Sequence, residues 1–177
     1  MKLVVLDRDG VINSDSDQYI KSPQEWKPIA GSLEAIARFT QAGFQVAVAT
    51  NQSGVARGLF DMATLNAMHD KMHKAVNQLG GRIDAVFFCP HAADAGCACR
   101  KPKPGMLLEI AARFNIALSG VAVIGDSLRD LQAASAAGAR PVLVRTGKGE
   151  MTLKAGGLPA GTEVHQDLAA AALALAA

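Results

Sequence analysis

The chain has 177 residues, half of them apolar and 19% charged, with a net charge of +2 at neutral pH. That length is expected to give one domain over 1–177 with a substantial core, and the apolar content excludes a disordered chain. The nearly balanced charge, with no long basic run, speaks against duplex nucleic-acid binding.

Leu3 to Leu6 is a short continuous apolar run, the pattern of a strand buried on both faces of a parallel sheet. Asp7-Arg8-Asp9-Gly10 follows at once. In open α/β sheets ligands bind beyond the carboxyl ends of the strands, so Asp7 and Asp9 are candidate site residues. A solvated acidic turn is the plain alternative. An EF-hand loop does not fit, because Val11 stands where the fifth position needs a ligand and the glycine comes two places early.

A polar loop from Asn13 to Pro28 precedes a helix that Ser32 is expected to cap and Gly43 to stop, with Leu33, Ile36 and Ala37 at helical spacing. Phe44 to Ala49 predicts a second strand ending in Thr50-Asn51-Gln52-Ser53-Gly54. Asp61 starts the clearest helix, with Leu65, Met68, Met72, Val76 and Leu79 as its apolar stripe and Gly80-Gly81 as its stop. His69 and His73 lie four apart on it, but no glutamate follows the first, so a solvated flank is expected rather than a zinc motif. Ile83 to Phe88 predicts a third strand, Gly105 to Asn115 a helix, Val121 to Ile124 a fourth strand, Leu131 to Ala137 an Ala-rich helix and Pro141 to Val144 a fifth strand. The stretch from Gly147 to Gly161 reads as an irregular surface connection, and Leu168 to Ala177 as a terminal helix too short to cross a bilayer. Strands alternating with helices predict a doubly wound, Rossmann-like parallel sheet with helices on both faces and no separate cap domain.

In that fold the ends of the first, second and fourth strands face one crevice. They carry Asp7 and Asp9, Thr50, and Asp126 with Asp130, while Arg100-Lys101 precedes the helix that leads to the fourth strand. Asp7 and Asp126 can share Mg²⁺, a hard cation that takes oxygen ligands. A carboxylate beside that metal, facing a hydroxyl and a lysine, suits phosphoryl transfer to an aspartate, with Lys101 and Thr50 on the phosphoryl oxygens. Asp9 is then placed to protonate the leaving alcohol and to activate the hydrolytic water.

Cys89, His91, Cys97 and Cys99 offer four soft ligands within eleven residues, enough for a closed, structural Zn²⁺ site. Because Cys99 directly precedes Arg100-Lys101, such a metal would also set two basic side chains at the site. The odd cysteine count and the single residue between Cys97 and Cys99 argue against a disulfide framework, and no signal peptide is expected from the short apolar run after Lys2, so a cytoplasmic location is expected.

Asp7-Arg-Asp9-Gly10-Val11, Thr50, Lys101 and Gly125-Asp126 with Asp130, in that order and at those strand ends, resemble the four motifs of haloacid-dehalogenase-type phosphatases over residues 2–145. The resemblance implies Asp7 as nucleophile, Asp9 as acid/base, and Thr50 and Lys101 as phosphoryl binders. It also implies magnesium held by Asp7, the Asp9 main-chain carbonyl and Asp126, with Asp130 in support. The zinc loop before Arg-Lys-Pro is similar to a narrow branch containing D-glycero-D-manno-heptose-1,7-bisphosphate 7-phosphatases, which serve bacterial lipopolysaccharide synthesis, and histidinol-phosphate phosphatases. Thr50 to Gly58, Gly105-Met-Leu-Leu and Val144 to Lys148 look more like the heptose enzymes. This branch implies substrate contacts from Asp15, Asn51, Gln52, Ser53 and Arg100. It departs in the first loop, where Asp15-Ser-Asp17-Gln-Tyr19 stands in place of the family's Gly-Tyr.

The expectation is therefore a monomeric, magnesium-dependent phosphatase of a phosphorylated sugar, without nucleic-acid or membrane partners. Arg57, Arg100 and Lys148 add the positive charge that a second phosphate would use. A histidinol-phosphate phosphatase, a phosphatase acting on nucleic-acid ends and a non-catalytic zinc-stabilised binding module stand as alternatives.

Overall fold

The computed structural model describes residues 1–177. Its elements run β1 (Lys2–Leu6), α1 (Ser32–Gln41), β2 (Phe44–Asn51), α2 (Met62–Gln78), β3 (Ala85–Cys89), α3 (Gly105–Phe114), β4 (Ala122–Gly125), α4 (Leu128–Ala136), β5 (Arg140–Val144), α5 (Gly149–Ala155), β6 (Glu163–His165) and α6 (Leu168–Leu175). The six strands form one sheet in the order β3-β2-β1-β4-β5-β6, and every neighbouring pair is parallel. The chain builds outward from β1 in one direction, then returns to β4 on its other side. The crevice where the order reverses therefore opens between β1 and β4, the usual ligand position in such sheets.

Alternation along the strands explains why their sequences read as unbroken apolar runs. Val4, Leu6, Val46 and Val48 join a core with Ile36 and Phe39 of α1, Leu65 and Met72 of α2, and Leu168 of α6. Leu3, Val5, Ala47 and Ala49 point the other way, onto Leu107 and Ile110 of α3 and Ala133 of α4. Both faces are covered, so neither can carry polar residues.

Three expectations need correction. Gly31, not Ser32, occupies the N-cap of α1, with φ 86°; Ser32 Oγ instead donates to the Val11 carbonyl at 2.7 Å. Helix α4 begins at Leu128 rather than Leu131, because Ser127 and Asp130 close a capping box around its first turn. The glycine-rich stretch expected to be irregular contains α5 and β6. Glu150, Met151, Leu153 and Lys154 are good helix formers that the flanking glycines obscured.

The polar loop after β1 is anchored. Trp26 is fully buried in the α1–α2 core, and Lys71 Nζ donates to the carbonyls of Pro23 and Trp26 at 2.6 and 2.8 Å. The loop thus forms a fixed wall on one side of the crevice.

Candidate active site

Asp7 follows β1 and Asp126 follows β4, and the pairing of these strands brings them together. The register continues past the strand end, with Asp7 N–H donating to the Ile124 carbonyl at 2.9 Å. Gly10, at φ +86°, leaves the space into which the Asp126 carboxylate fits; a Cβ at that position would collide with it. Asp7, Asp126 and Asp130 each present a carboxylate oxygen within 4.8 Å of the others.

Lys101 reaches this group from the loop before α3. Its buried Nζ donates to Asp130 Oδ1 at 2.8 Å, to Asp7 Oδ1 at 3.2 Å and to the Ala49 carbonyl. Asn51, at the end of β2, fixes the lysine's main chain: its Nδ2 donates to the Lys101 carbonyl at 3.3 Å, and Lys101 N–H donates to its Oδ1 at 3.1 Å. The Asn51 amide is thereby committed to placing Lys101.

The charges do not cancel within this cluster. Burial disfavours the ammonium of Lys101, but the Asp130 and Asp7 charges outweigh it and hold the lysine protonated. Burial likewise opposes ionisation of Asp130, yet Lys101's charge and hydrogen bonds from Lys101 and Ser127 keep it below the usual range. Asp7 and Asp126 are left over. Burial and the Asp130 charge raise Asp7 well above an ordinary carboxyl and push Asp126 up to about 7. Two buried carboxylates in mutual repulsion, offering only oxygen, fit a hard divalent cation such as Mg²⁺.

Asp9 sits differently. Its Oδ1 accepts from Arg8 Nε at 2.8 Å and Asn13 Nδ2 at 2.9 Å; its Oδ2 accepts only from Gln52 Nε2, at 3.3 Å. Burial alone would raise its pKa, but the Arg8 charge and these three hydrogen bonds together lower it. A dianionic phosphate arriving beside it would oppose that lowering. Gln52 also donates to Thr50 Oγ1 at 2.9 Å, which leaves the buried hydroxyl its own proton to give.

The open cleft above these residues holds about 200 Å³, and of the sixteen residues lining it only one is hydrophobic. An apolar small molecule would find no complementary surface there, whereas a phosphorylated, hydroxyl-rich one would. Asp7, Asp9, Asp15, Asp17, Asp126 and Asp130 face Arg100, Lys101, Arg129 and Lys148, an excess of two negative charges before any metal binds. Asp15, Asn51, Ser53 and Arg100, for which the resemblance implies substrate contacts, line the cleft. Gln52 corrects that expectation: it is buried beneath the cleft, bridging Thr50 and Asp9, and does not line it. Arg57 stays outside the lining, 5.7 Å over the Tyr19 ring.

Several contacts at the site become visible only in the fold. Lys148 N–H donates to Asp126 Oδ2 at 2.9 Å, and its Nζ pairs with Asp15 Oδ2 at 3.5 Å. Thr146 Oγ1 donates to the Gly10 carbonyl at 2.7 Å and Thr152 Oγ1 to the Asp126 carbonyl at 2.8 Å. The stretch dismissed as a surface connection thus buttresses the strand tips. His69 is buried, not solvated, and its Nε2 lies 3.2 Å from Arg8 Nη1. Its place four residues after Leu65 and three before Met72, inside the apolar stripe, was the available signal.

At the other side of the cleft, Cys89 ends β3, and Cys89, His91, Cys97 and Cys99 bring one donor atom each within 4.8 Å of the others. His91 Nδ1 lies 3.5 Å from Cys89 Sγ and 3.3 Å from Cys99 Sγ, and Cys89 Sγ lies 3.6 Å from Cys97 Sγ. These three separations are close to the edges of a tetrahedron around Zn²⁺ with bonds of about 2.0–2.3 Å, whereas Cys99 Sγ and Cys89 Sγ, 2.7 Å apart, are closer than such an edge. Burial and the neighbouring thiols push Cys99 up to about 12. Three thiolates cannot ionise side by side without a cation, and this donor set fits zinc.

Among known proteins, a HAD-hydrolase-like family model matches residues 98–171. A D-glycero-beta-D-manno-heptose-1,7-bisphosphate 7-phosphatase from Bordetella bronchiseptica is 64% identical over 97% of this chain and 96% of its own length. A relative of the same name from Pseudomonas putida is 58% identical over 97% of this chain and 98% of its own. The crystal structure of D,D-heptose 1,7-bisphosphate phosphatase from B. bronchiseptica complexed with magnesium and phosphate superposes with TM-score 0.98 at 63% identity, covering 99% of this chain and 98% of that one. The enzyme from Burkholderia thailandensis superposes with TM-score 0.80 at 59% identity, covering 98% of this chain and 97% of that one.

Proposed function

The chain belongs to the haloacid-dehalogenase-like phosphatases, in the branch of the heptose-1,7-bisphosphate 7-phosphatases, and from that membership we propose that it removes the 7-phosphate of D-glycero-D-manno-heptose 1,7-bisphosphate. The reaction would supply a heptose precursor for bacterial lipopolysaccharide. One observation carries the chemistry: a lysine bonded to two carboxylates, Asp7 and Asp130, beside a third, Asp126, at the switch point of the sheet.

Asp7 attacks the phosphorus of the 7-phosphate through its carboxylate, and Asp9 gives the departing sugar oxygen its proton. An aspartyl phosphate on Asp7 results. Asp9, now ionised, takes a proton from the water that attacks this phosphate, and Asp7 is regenerated. Splitting one displacement into two in this way is the gain from a covalent nucleophile. Lys101, kept cationic by Asp130, holds a phosphoryl oxygen throughout, and the Thr50 hydroxyl donates to another. Asp7, the Asp9 main-chain carbonyl and Asp126 would hold Mg²⁺, which supplies charge neutralisation for the transferring group. Cys89, His91, Cys97 and Cys99 would hold Zn²⁺, keeping Arg100 and Lys101 in position. Asp15, Ser53 and Arg100 would contact the sugar and its second phosphate, with Asn51 lining the same cleft while its amide holds the Lys101 main chain.

The cleft is complete within one chain, which suits a monomer, and no helix is long and apolar enough to cross a membrane. Unpaired cysteines suit the cytoplasm. The deciding experiment measures phosphate release from heptose 1,7-bisphosphate and from histidinol phosphate, each with Mg²⁺. Faster release from the bisphosphate, retaining the 1-phosphate, is expected; preference for histidinol phosphate or loss of the 1-phosphate overturns the assignment.

A further inference from the structure

Between Asp7 and Asp9 stands a side chain that the reaction above leaves without a task. Arg8 is fully buried, and its guanidinium has only two side-chain partners: Nε donates to Asp9 Oδ1 at 2.8 Å, and Nη1 lies 3.2 Å from His69 Nε2, while Nη2 has none. His69 projects from α2 and is itself buried, with the Phe88 ring of β3 6.3 Å away. Burial, helped by the Arg8 and His73 charges, moves its pKa down to about 4, so the ring is neutral. Arginine can only donate, so the ring nitrogen facing it must be the bare acceptor and the proton sits on Nδ1.

We propose that Arg8 and His69 are positioning residues for Asp9: the imidazole aims the guanidinium, the guanidinium and Asn13 occupy Oδ1, and Oδ2 is left as the oxygen that trades a proton with the leaving group. The proposal rests on Asp9 being the acid/base of the proposed reaction. The asymmetry of the carboxylate supports it. Oδ1 takes two close donors, whereas Oδ2 takes one long contact from Gln52 and keeps room for a proton.

Energetics argue that this arrangement serves geometry. Taking a guanidinium out of water is costly, and apolar groups of the same volume generally stabilise a fold as well as a buried ion pair does. Here the cost is incurred with one donor left unmatched. What the guanidinium supplies instead is one fixed donor on Oδ1 of a carboxylate that must meet a proton within hydrogen-bond reach, where small displacements are expensive in rate.

The test compares His69→Gln, which keeps a strong acceptor, with His69→Met, which has similar length and only a weakly accepting thioether. Both are made in the full-length protein loaded with magnesium and zinc. kcat/KM is measured for the sugar bisphosphate, whose alkoxide leaving group needs a proton, and for p-nitrophenyl phosphate, whose phenolate leaves without one. kcat/KM covers only the steps through departure of the alcohol, so the second half-reaction does not intrude. His69→Met should lose about 10- to 100-fold on the sugar phosphate and no more than about 3-fold on the aryl ester, with His69→Gln close to wild type on both. Equal losses on the two substrates, or no loss, would overturn the positioning role. If His69→Met does not fold, Arg8→Lys gives the same comparison, since lysine keeps the charge but lacks the planar guanidinium that reaches Asp9 and His69 from separate nitrogens. A wild-type protein that releases no phosphate from the sugar would instead defeat the proposed function itself.

Discussion

Two clusters in this molecule can each hold a metal, and they are assembled in opposite ways. The carboxylates Asp7, Asp126 and Asp130 sit on the tips of β1 and β4 and in the first turn of α4. Their positions follow from strand register, a capping box and one buried lysine, all supplied by the fold itself. The thiols and imidazole at Cys89, His91, Cys97 and Cys99 share only one residue with a regular element, Cys89 of β3; the remainder lies in the connection between β3 and α3. Strand tips place the first cluster. The second has little besides its ligands to place it. On the proposed reading, one region would use the fold to present a metal to the substrate, and the other would use a metal to present part of the fold, Arg100 and Lys101, to the same cleft.

This contrast predicts opposite outcomes when a donor is removed. Asp7→Asn should abolish phosphate release, lowering the rate at least ~10³-fold, since no nucleophile remains. Stability should not fall and should rise slightly, because burial and the Asp130 charge already penalise an ionised Asp7. Phosphate release and a thermal melt, measured side by side, check both. A variant that turns over at the wild-type rate removes Asp7 as nucleophile, and one that unfolds contradicts a cluster held by the fold.

Cys97→Ser, or a zinc-selective chelator, should do the reverse. Loss of the metal leaves the loop without its anchor and should lower stability by ~2–4 kcal/mol, with activity falling as Lys101 loses its place. Added Zn²⁺ should restore the chelated protein and Mg²⁺ should not, while depletion of Mg²⁺ alone should stop turnover without exposing the thiols. The measurement is thiol reactivity together with the melting temperature. Unchanged values after zinc is stripped would mean that the loop holds itself.

How much of this could be read in advance follows the same division. Asp7, Thr50, Lys101 and Asp126 were legible because each directly ends an apolar run or follows a cysteine-rich stretch, and the strand order does the rest. The sheet itself was legible from buried runs such as Leu3 to Leu6, where alternating residues enter two different cores. What stayed hidden depends on tertiary partners. The family resemblance implied a sugar contact from Gln52, but its side chain turns under the cleft to Asp9. Asn51 lines the cleft, but its hold on the Lys101 main chain could not be read from the sequence. His69 carried a polar name in an apolar stripe, and only the buried guanidinium of Arg8 gives it a reason to be there. The Lys148 side chain was legible as positive charge, but its main-chain bond to Asp126 was hidden among glycines whose role is close approach: a Cβ at Gly147 would strike Asp126 and Gly10.

Lys148 also gives the smallest and most selective expected effect, because its main chain and side chain belong to different halves of the comparison. Its N–H bonds Asp126 and so belongs to the strand-tip cluster, a bond that survives replacement by alanine. Its ammonium pairs with Asp15 across the cleft, at 3.5 Å and with 41% of the lysine side chain exposed. An exposed pair of this kind contributes at most about 1 kcal/mol and is readily exchanged for a better anion. A substrate carrying a second phosphate is such an anion; one with a single phosphate is not. Lys148→Ala should therefore raise KM for the heptose bisphosphate about 3- to 10-fold with kcat nearly unchanged, and leave p-nitrophenyl phosphate hydrolysis as it was. If both substrates suffer equally, the ammonium serves the phosphoryl-transfer centre rather than the distal phosphate.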